Sequence, residues 1–294
     1  MKTRTGTAAV FALTLLAPLT ALAQPALDTS WVKSQGNRVG LEVDMFSSSQ
    51  ETTFIVPIEI SILGLAFTAV GQIEIMDKVY LDAELPFGYG SFSISTEDDE
   101  DSESGFVLGN PTIGAHYADA MKTDSDLEIA YFFGGTLSAP VIFDPGEEAS
   151  VAVAANLQSR AYFDLHRFTP EYLPIRLRGG AEIRILPYLL YRGDLGLANY
   201  IPLDSGDFEM VVEQGNEIEA RTEGGFGGGL RLQAAFPLTN NDLVQTAVEP
   251  FVAYEPESGL YARAGFLIAL DEQLGFGLDQ GKLATVRLAV GGKF

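Results

Sequence analysis

ATVRLAVGGKF, residues 284–294, closes the chain and decides its fold class. Val286, Leu288, Val290 and Phe294 fall on one parity, while Thr285, Arg287, Ala289 and Lys293 fall on the other. Side chains of an extended chain point alternately to opposite faces, so this stretch reads as a strand with one apolar and one polar side. The same alternation recurs upstream. In Asn37–Ser47, Val39, Leu41, Val43 and Met45 alternate with Arg38, Gly40, Glu42 and Asp44. After a turn at Asp77-Lys78, Val79, Leu81, Ala83, Leu85 and Phe87 alternate with Tyr80, Asp82 and Glu84. In Leu173–Ile185, Ile175, Leu177, Ala181 and Ile183 alternate with Arg176, Arg178, Glu182 and Arg184.

Short alternating runs, 31 glycines and 11% aromatic residues fit an antiparallel transmembrane β-barrel, whose closure satisfies every backbone group without an edge. A soluble periplasmic β-protein is the alternative. Beyond residue 24 no stretch reaches the roughly 20 apolar residues that a membrane-spanning helix needs. A terminal strand ending in an aromatic resembles the closing strand of bacterial outer-membrane barrels. That resemblance makes Phe294 the assembly signal read by the barrel insertion machinery, although Gly292 stands at the third-from-last position, where such signals often carry an apolar side chain.

The N-terminus agrees. Lys2 and Arg4 precede an apolar run from Ala8 to Leu22, and Ala21-Leu22-Ala23 offers a small-residue cleavage site. The expected organisation is a signal peptide over 1–23, a periplasmic segment over 24–36 and a barrel over 37–294. Removing Lys2 and Arg4 with the leader takes the formal charge from −22 to −24, too acidic for a nucleic-acid surface. With no cysteine and two histidines, disulfides, thiolate metal sites and His-rich metal sites are not expected, and neither is a cofactor.

Along the chain the alternation gives about twelve strands. Both termini then lie on the periplasmic side, the connections at 77–78, 119–125, 186–187, 221–223 and 255–257 are short, and those at 48–65, 91–105, 138–172 and 271–284 are long and face outward. An extra pair at Thr53–Leu63, or a hairpin at Gln214-Gly215-Asn216, raises the number to fourteen. The acidic run from Glu97 to Glu103 reads as a solvated loop, or as a divalent-cation contact with lipopolysaccharide. Residues 147–165 have helical spacing, so the longest connection carries a helix that either plugs the barrel mouth or lies on its rim. Tyr89, Phe92, Tyr188, Tyr200 and Tyr254, near strand ends, read as interfacial anchors.

An arginine or lysine on the lipid face costs roughly 2–4 kcal/mol near the midplane, which assigns the charged parity to the lumen. The expected pore-lining residues are Arg38, Glu42, Asp44, Glu74, Asp82, Glu84, His116, Glu128, Arg176, Arg178, Glu182, Arg184, Arg192, Asp194, Arg231, Glu249, Arg263 and Arg287. Most of these acids belong to the first half of the chain and most of the arginines to the second. Facing each other across the bore, they would set up a transverse field or close the lumen with ion pairs.

GQIEIMDKVYLDAELPFGYG at 71–90, GNPTIGAHY at 109–117 and GGTLSAP at 134–140 resemble outer-membrane channels of the phenol-degradation MetA-pathway type. The resemblance covers roughly residues 66–140 and the terminal strand. It implies a monomeric channel in the outer membrane, in contact with its lipid and lipopolysaccharide, for small hydrophobic or aromatic solutes. Two other readings stand beside it. One is a closed structural or adhesion barrel acting through its outer loops. The other is a lipid hydrolase, for which His116 and His166 are the available bases, although neither sits in a His-x-Ser arrangement.

Overall fold

The computed structural model describes residues 36–53, 57–96, 100–123, 127–143, 145–159, 163–204, 206–239, 244–256, 259–270 and 284–294. The expected leader and nearly all of the segment after it lie outside these residues. The strands, in chain order, are β1 (Arg38–Thr53), β2 (Pro57–Met76), β3 (Val79–Ser95), β4 (Glu100–Leu108), β5 (Thr112–Lys122), β6 (Glu128–Ser138), β7 (Tyr172–Leu186), β8 (Leu189–Pro202), β9 (Glu209–Arg221), β10 (Phe226–Pro237), β11 (Gln245–Tyr254), β12 (Gly259–Ala269) and β13 (Ala284–Lys293).

All of them belong to one antiparallel sheet. β1 pairs with both β2 and β13, and β2 pairs with β3, so the sheet closes on itself. β4 and β5 lie against the same side of β3, β4 opposite Phe87–Ser95 and β5 opposite Val79–Glu84. They are two pieces of one descending arm, which leaves a twelve-position ring with one broken member. The break is Gly109-Asn110-Pro111, where proline has no N–H to give a ladder.

The wall is apolar outside and charged inside. Leu177, Leu195, Val252 and Leu260 are each more than half exposed, at 57, 58, 63 and 67%, whereas Arg176, Arg192, Arg231 and Glu249 are each 1% exposed. This inversion is what a lipid-facing belt requires. The strands meet in short turns at one end, as expected: β2 to β3 turns through Asp77-Lys78, with Lys78 at φ 63, and β7 to β8 through Pro187-Tyr188.

Three expectations are corrected. The connections at 48–65 and 91–105 are largely strand, because β1 and β2 stay paired from Arg38–Gln72 out to Thr53–Pro57. Thr53 ends β1 and Pro57–Leu63 is the far end of β2 rather than an extra pair, and Gln214-Gly215-Asn216 lies inside an unbroken β9. The acidic run is not wholly loop either: Glu100–Ser104 pairs with Ser91–Ser95, with the side chains of Asp101–Ser104 in solvent.

Candidate functional site: a charged interior closed by a loop

The inward parity of the strands puts arginines and carboxylates into one enclosed space, and they satisfy each other there. Arg287 binds Asp44 (3.2 Å) and Glu249 (2.8 Å), and Arg263 binds Glu217 (2.9 Å) with its guanidinium 3.5 Å above the Phe251 ring. Arg231 binds Asp194 at 2.7 Å, and Asp194 also faces Arg178 at 3.8 Å. Arg192 reaches Glu182, Glu217 and Glu219, and Arg221 joins Glu219 to Glu255. A buried ion is tolerated only when paired, since an orphaned one costs several kcal/mol.

Of the residues expected to line a pore, Arg38, Glu42, Asp44, Asp82, His116, Arg176, Arg178, Arg192, Asp194, Arg231, Glu249, Arg263 and Arg287 are buried in the barrel. Glu84 and Glu182 are partly buried. Glu74, Glu128 and Arg184 are exposed, because they sit at the short-turn ends of β2, β6 and β7. His116 is held by Asp82 at 2.6 Å and stacks on Tyr80. Tyr200 is not an interfacial anchor: it points inward and is 3% exposed.

The opposed half-and-half charge distribution is also corrected. β9 turns Glu213, Glu217 and Glu219 inward beside the arginines of β7, β8, β10 and β12, so most pairs form within the second half of the chain. Gly215, on the same face, makes this possible. A Cβ there would stand 2.0 Å from a nitrogen of Arg231 and 2.5 Å from an oxygen of Asp194.

The described residues between β6 and β7, 139–143, 145–159 and 163–171, enter the same interior. Helix α1 (Glu147–Ser159) begins with two glutamates, favourable at a helix N-terminus, and is rich in alanine. Its buried face, Ala152, Ala155 and Asn156, packs on the inner side of β3 and β4. The wall gives way with glycines: a Cβ at Gly105 would stand 1.9 Å from the carbonyl oxygen of Glu148, and one at Gly88 2.4 Å from Asn156. The Asn156 amide donates to the Tyr89 carbonyl at 3.1 Å. The expected helix reached Leu165; the observed one ends at Ser159, and Asp164 at φ 58 is incompatible with a continuous right-handed helix.

A 3-10 turn at Leu165–Arg167 then carries two side chains to the wall. Arg167 Nη2 lies 3.0 Å from Glu42, and its Nε lies 3.0 Å from Glu84. His166 Nε2 lies 3.0 Å from Arg176 Nη1 and 3.4 Å from a carboxylate oxygen of Glu84. Asn110, at the break between β4 and β5, holds the loop from behind: its side chain donates to the carbonyls of His166 (3.1 Å) and Thr169 (2.8 Å) and accepts from Val141 N–H. Phe163 completes the closure on the other wall, against Ala198, Tyr200, Val211, Ala235, Ala247, Leu267 and Ala269. Burial, and then Arg176, pushes His166 down to about 4, so it is neutral at physiological pH.

His166, Arg167, Glu213, Glu217, Glu219, Arg221 and Glu255 are not among the expected pore-lining residues. The i, i+2 acids of β9 were the available signal, obscured by reading Gly215 as a turn. For His166 and Arg167 no strand parity applies.

No family model matches the sequence, and no curated protein matches it. Solved structures do. One is the crystal structure of an outer membrane channel from Pseudomonas putida F1, with a TM-score of 0.55 and 10% identity over 94% of this chain and 99% of that one. The chain has the fold of an outer-membrane barrel. A second likeness is to the transport unit of the autotransporter AIDA-I from Escherichia coli, with a TM-score of 0.50 and 10% identity over 97% of each chain.

Proposed function

We propose that this protein is a monomeric outer-membrane channel for small solutes, held closed by its own residues 139–171. Docking of Arg167 between Glu42 and Glu84 carries the reading: a loop that merely capped the rim would not place a fully buried guanidinium against two strands of the wall. Closure of the ring within one chain supports a monomer, because no strand of another chain is needed. The fold shared with an outer membrane channel supports the assignment to that membrane.

The solute is a small hydrophobic or aromatic compound. Its support is the family resemblance of residues 66–140 together with the inward apolar cluster of Ala198, Ala235, Ala247 and Ala269 against which Phe163 packs. Arginines and carboxylates would then line the rest of the path and orient polar substituents. Liposome swelling with phenol, glucose and a dipeptide tests this. Phenol should permeate fastest, and more so once the loop is replaced by a short Gly-Ser connection; equal rates with protein-free liposomes would refute it.

A further inference from the structure

On the lipid side of the wall, toward the short-turn end, a polar cluster and an apolar groove stand next to each other. Lys78, in the turn between β2 and β3, holds Asp119 of β5 at 3.0 Å. The hydroxyls of Tyr117 and Tyr131 donate to the same carboxylate oxygen at 3.1 and 3.4 Å, and the other oxygen takes the Ala120 N–H. Asp119 shares the parity of Ile113 and Met121, both more than half exposed, so the cluster faces the membrane and not the bore. Tyrosines in such a place mark the membrane–water interface. Asp119 is saturated, whereas the Lys78 ammonium is 43% exposed and gives Asp119 only one of its three donors. Glu74 and Asp77, beside Lys78 in the chain, are exposed as well.

The groove begins one same-face step toward the midplane, about 7 Å along the strand. There the Tyr117 ring lies 5.3 Å from that of Phe133, and Phe133 borders a groove of about 600 Å³ over β6, β7 and β8. Leu177, Leu195 and Leu197 complete its sides, and Gly179, in register between Phe133 and Leu195, leaves its floor without a side chain. Hydrophobicity alone does not fill such a groove, because the surrounding lipid tails are as apolar as leucine. Shape beside charge does. A hydrocarbon chain seated between Phe133 and Leu195 brings its polar end to the tyrosines and Lys78. That end meets one available cation and two exposed acids, which suits a zwitterion; a purely anionic head would face Glu74 and Asp77 without a countercharge.

We propose that this face binds one glycerophospholipid with an amine-bearing zwitterionic headgroup, of the phosphatidylethanolamine class. Its phosphate sits on Lys78, its ammonium at Glu74 and Asp77, and an acyl chain in the groove over Gly179. The seat is outside the bore, so it is occupied whether or not the barrel conducts.

Native mass spectrometry of the refolded mature barrel tests the seat, with the protein released from micelles holding equal amounts of phosphatidylethanolamine, phosphatidylglycerol and diacylglycerol of matched chains. The expected result is one retained phosphatidylethanolamine per barrel, about tenfold over either competitor. Lys78→Gln should abolish that preference. Gly179→Leu should lower retention of the lipid; a Cβ there meets nothing nearer than 3.4 Å, so the wall accommodates the change. Gly71→Leu, opposite Val39 on the lipid face of β2 with 3.9 Å of clearance, should retain lipid as the wild type does. Adducts without preference among the three lipids, a preference for phosphatidylglycerol, or retention that neither Lys78→Gln nor Gly179→Leu lowers would overturn the assignment. So would a dimer lost in Gly179→Leu, which would make the groove an interface between two copies of the chain.

Discussion

Arg167 and Glu42, 125 residues apart in sequence, meet at 3.0 Å inside the barrel. The same guanidinium binds Glu84 on β3, so one side chain from a loop ties together two strands of the wall. Removal of Arg167 leaves the carboxyl groups of Glu42 and Glu84 inside the barrel without the guanidinium that joins them.

Arg167→Ala should therefore undock the loop rather than unfold the barrel. Breaking a buried pair from one side costs about 3–5 kcal/mol. In proteoliposomes the loop should become sensitive to added protease, while the barrel core stays resistant. Resistance equal to wild type would show that the pair does not hold the loop.

Docking should also depend on pH. His166 is held near 4 by burial and Arg176, against about 6.5 when the loop is free, so the docked state binds fewer protons between these values. Docking is therefore at full strength above about 6.5 and weakens as pH falls toward 4, by on the order of 3 kcal/mol in all. Glu84, Asp164 and Arg176 face the ring and are common to wild type and variant. Open probability should rise in this window, and His166→Gln should flatten the rise.

Gly105 tests the helix seat independently of charge. A Cβ there would collide with the backbone of Glu148, which is not a flexible side chain that could swing away. Gly105→Val should displace α1 without touching the ion pairs among β8, β9, β10 and β12. Amide exchange of residues 147–159 should speed up by at least tenfold, with β9 to β12 unchanged; unchanged protection in the helix would refute the seat.

The ion pairs around Arg192 should set barrel stability instead. Arg192 binds Glu182, Glu217 and Glu219 together, and Arg192→Ala takes from Glu182 its buried arginine and from Glu217 and Glu219 one contact each, leaving them Arg263 and Arg221. A loss of about 3–5 kcal/mol is expected in the urea midpoint of refolding into lipid vesicles.

Much of this architecture is legible in the sequence because a barrel wall obeys a period of two. Arg287 between Leu288 and Val286, or Arg192 and Asp194 around Gly193, declares its face without tertiary information. The legible part ends where that period no longer constrains the chain. His166 and Arg167 lie in a loop whose path is set by Asn110, 56 residues from His166, and by glycines whose role is to be small. Gly215 looks like a turn residue, yet it sits mid-strand because Arg231 and Asp194 pass over it. The acidic residues of β4 pattern like solvent-exposed loop, and only the neighbouring arm of β3 makes them a strand.

The most direct measurement is planar-bilayer conductance of the mature barrel, intact and with Glu147–Arg167 replaced by a short Gly-Ser connection. β6 and β7 are hydrogen-bonded neighbours, with Leu137 opposite Ile175, so the shortened chain can still close the hairpin. The account predicts rare, brief openings in the intact protein and a stable, several-fold larger conductance in the shortened one. Silence from both, with the barrels folded, would contradict it and leave a sealed barrel whose work is done by its outer surface.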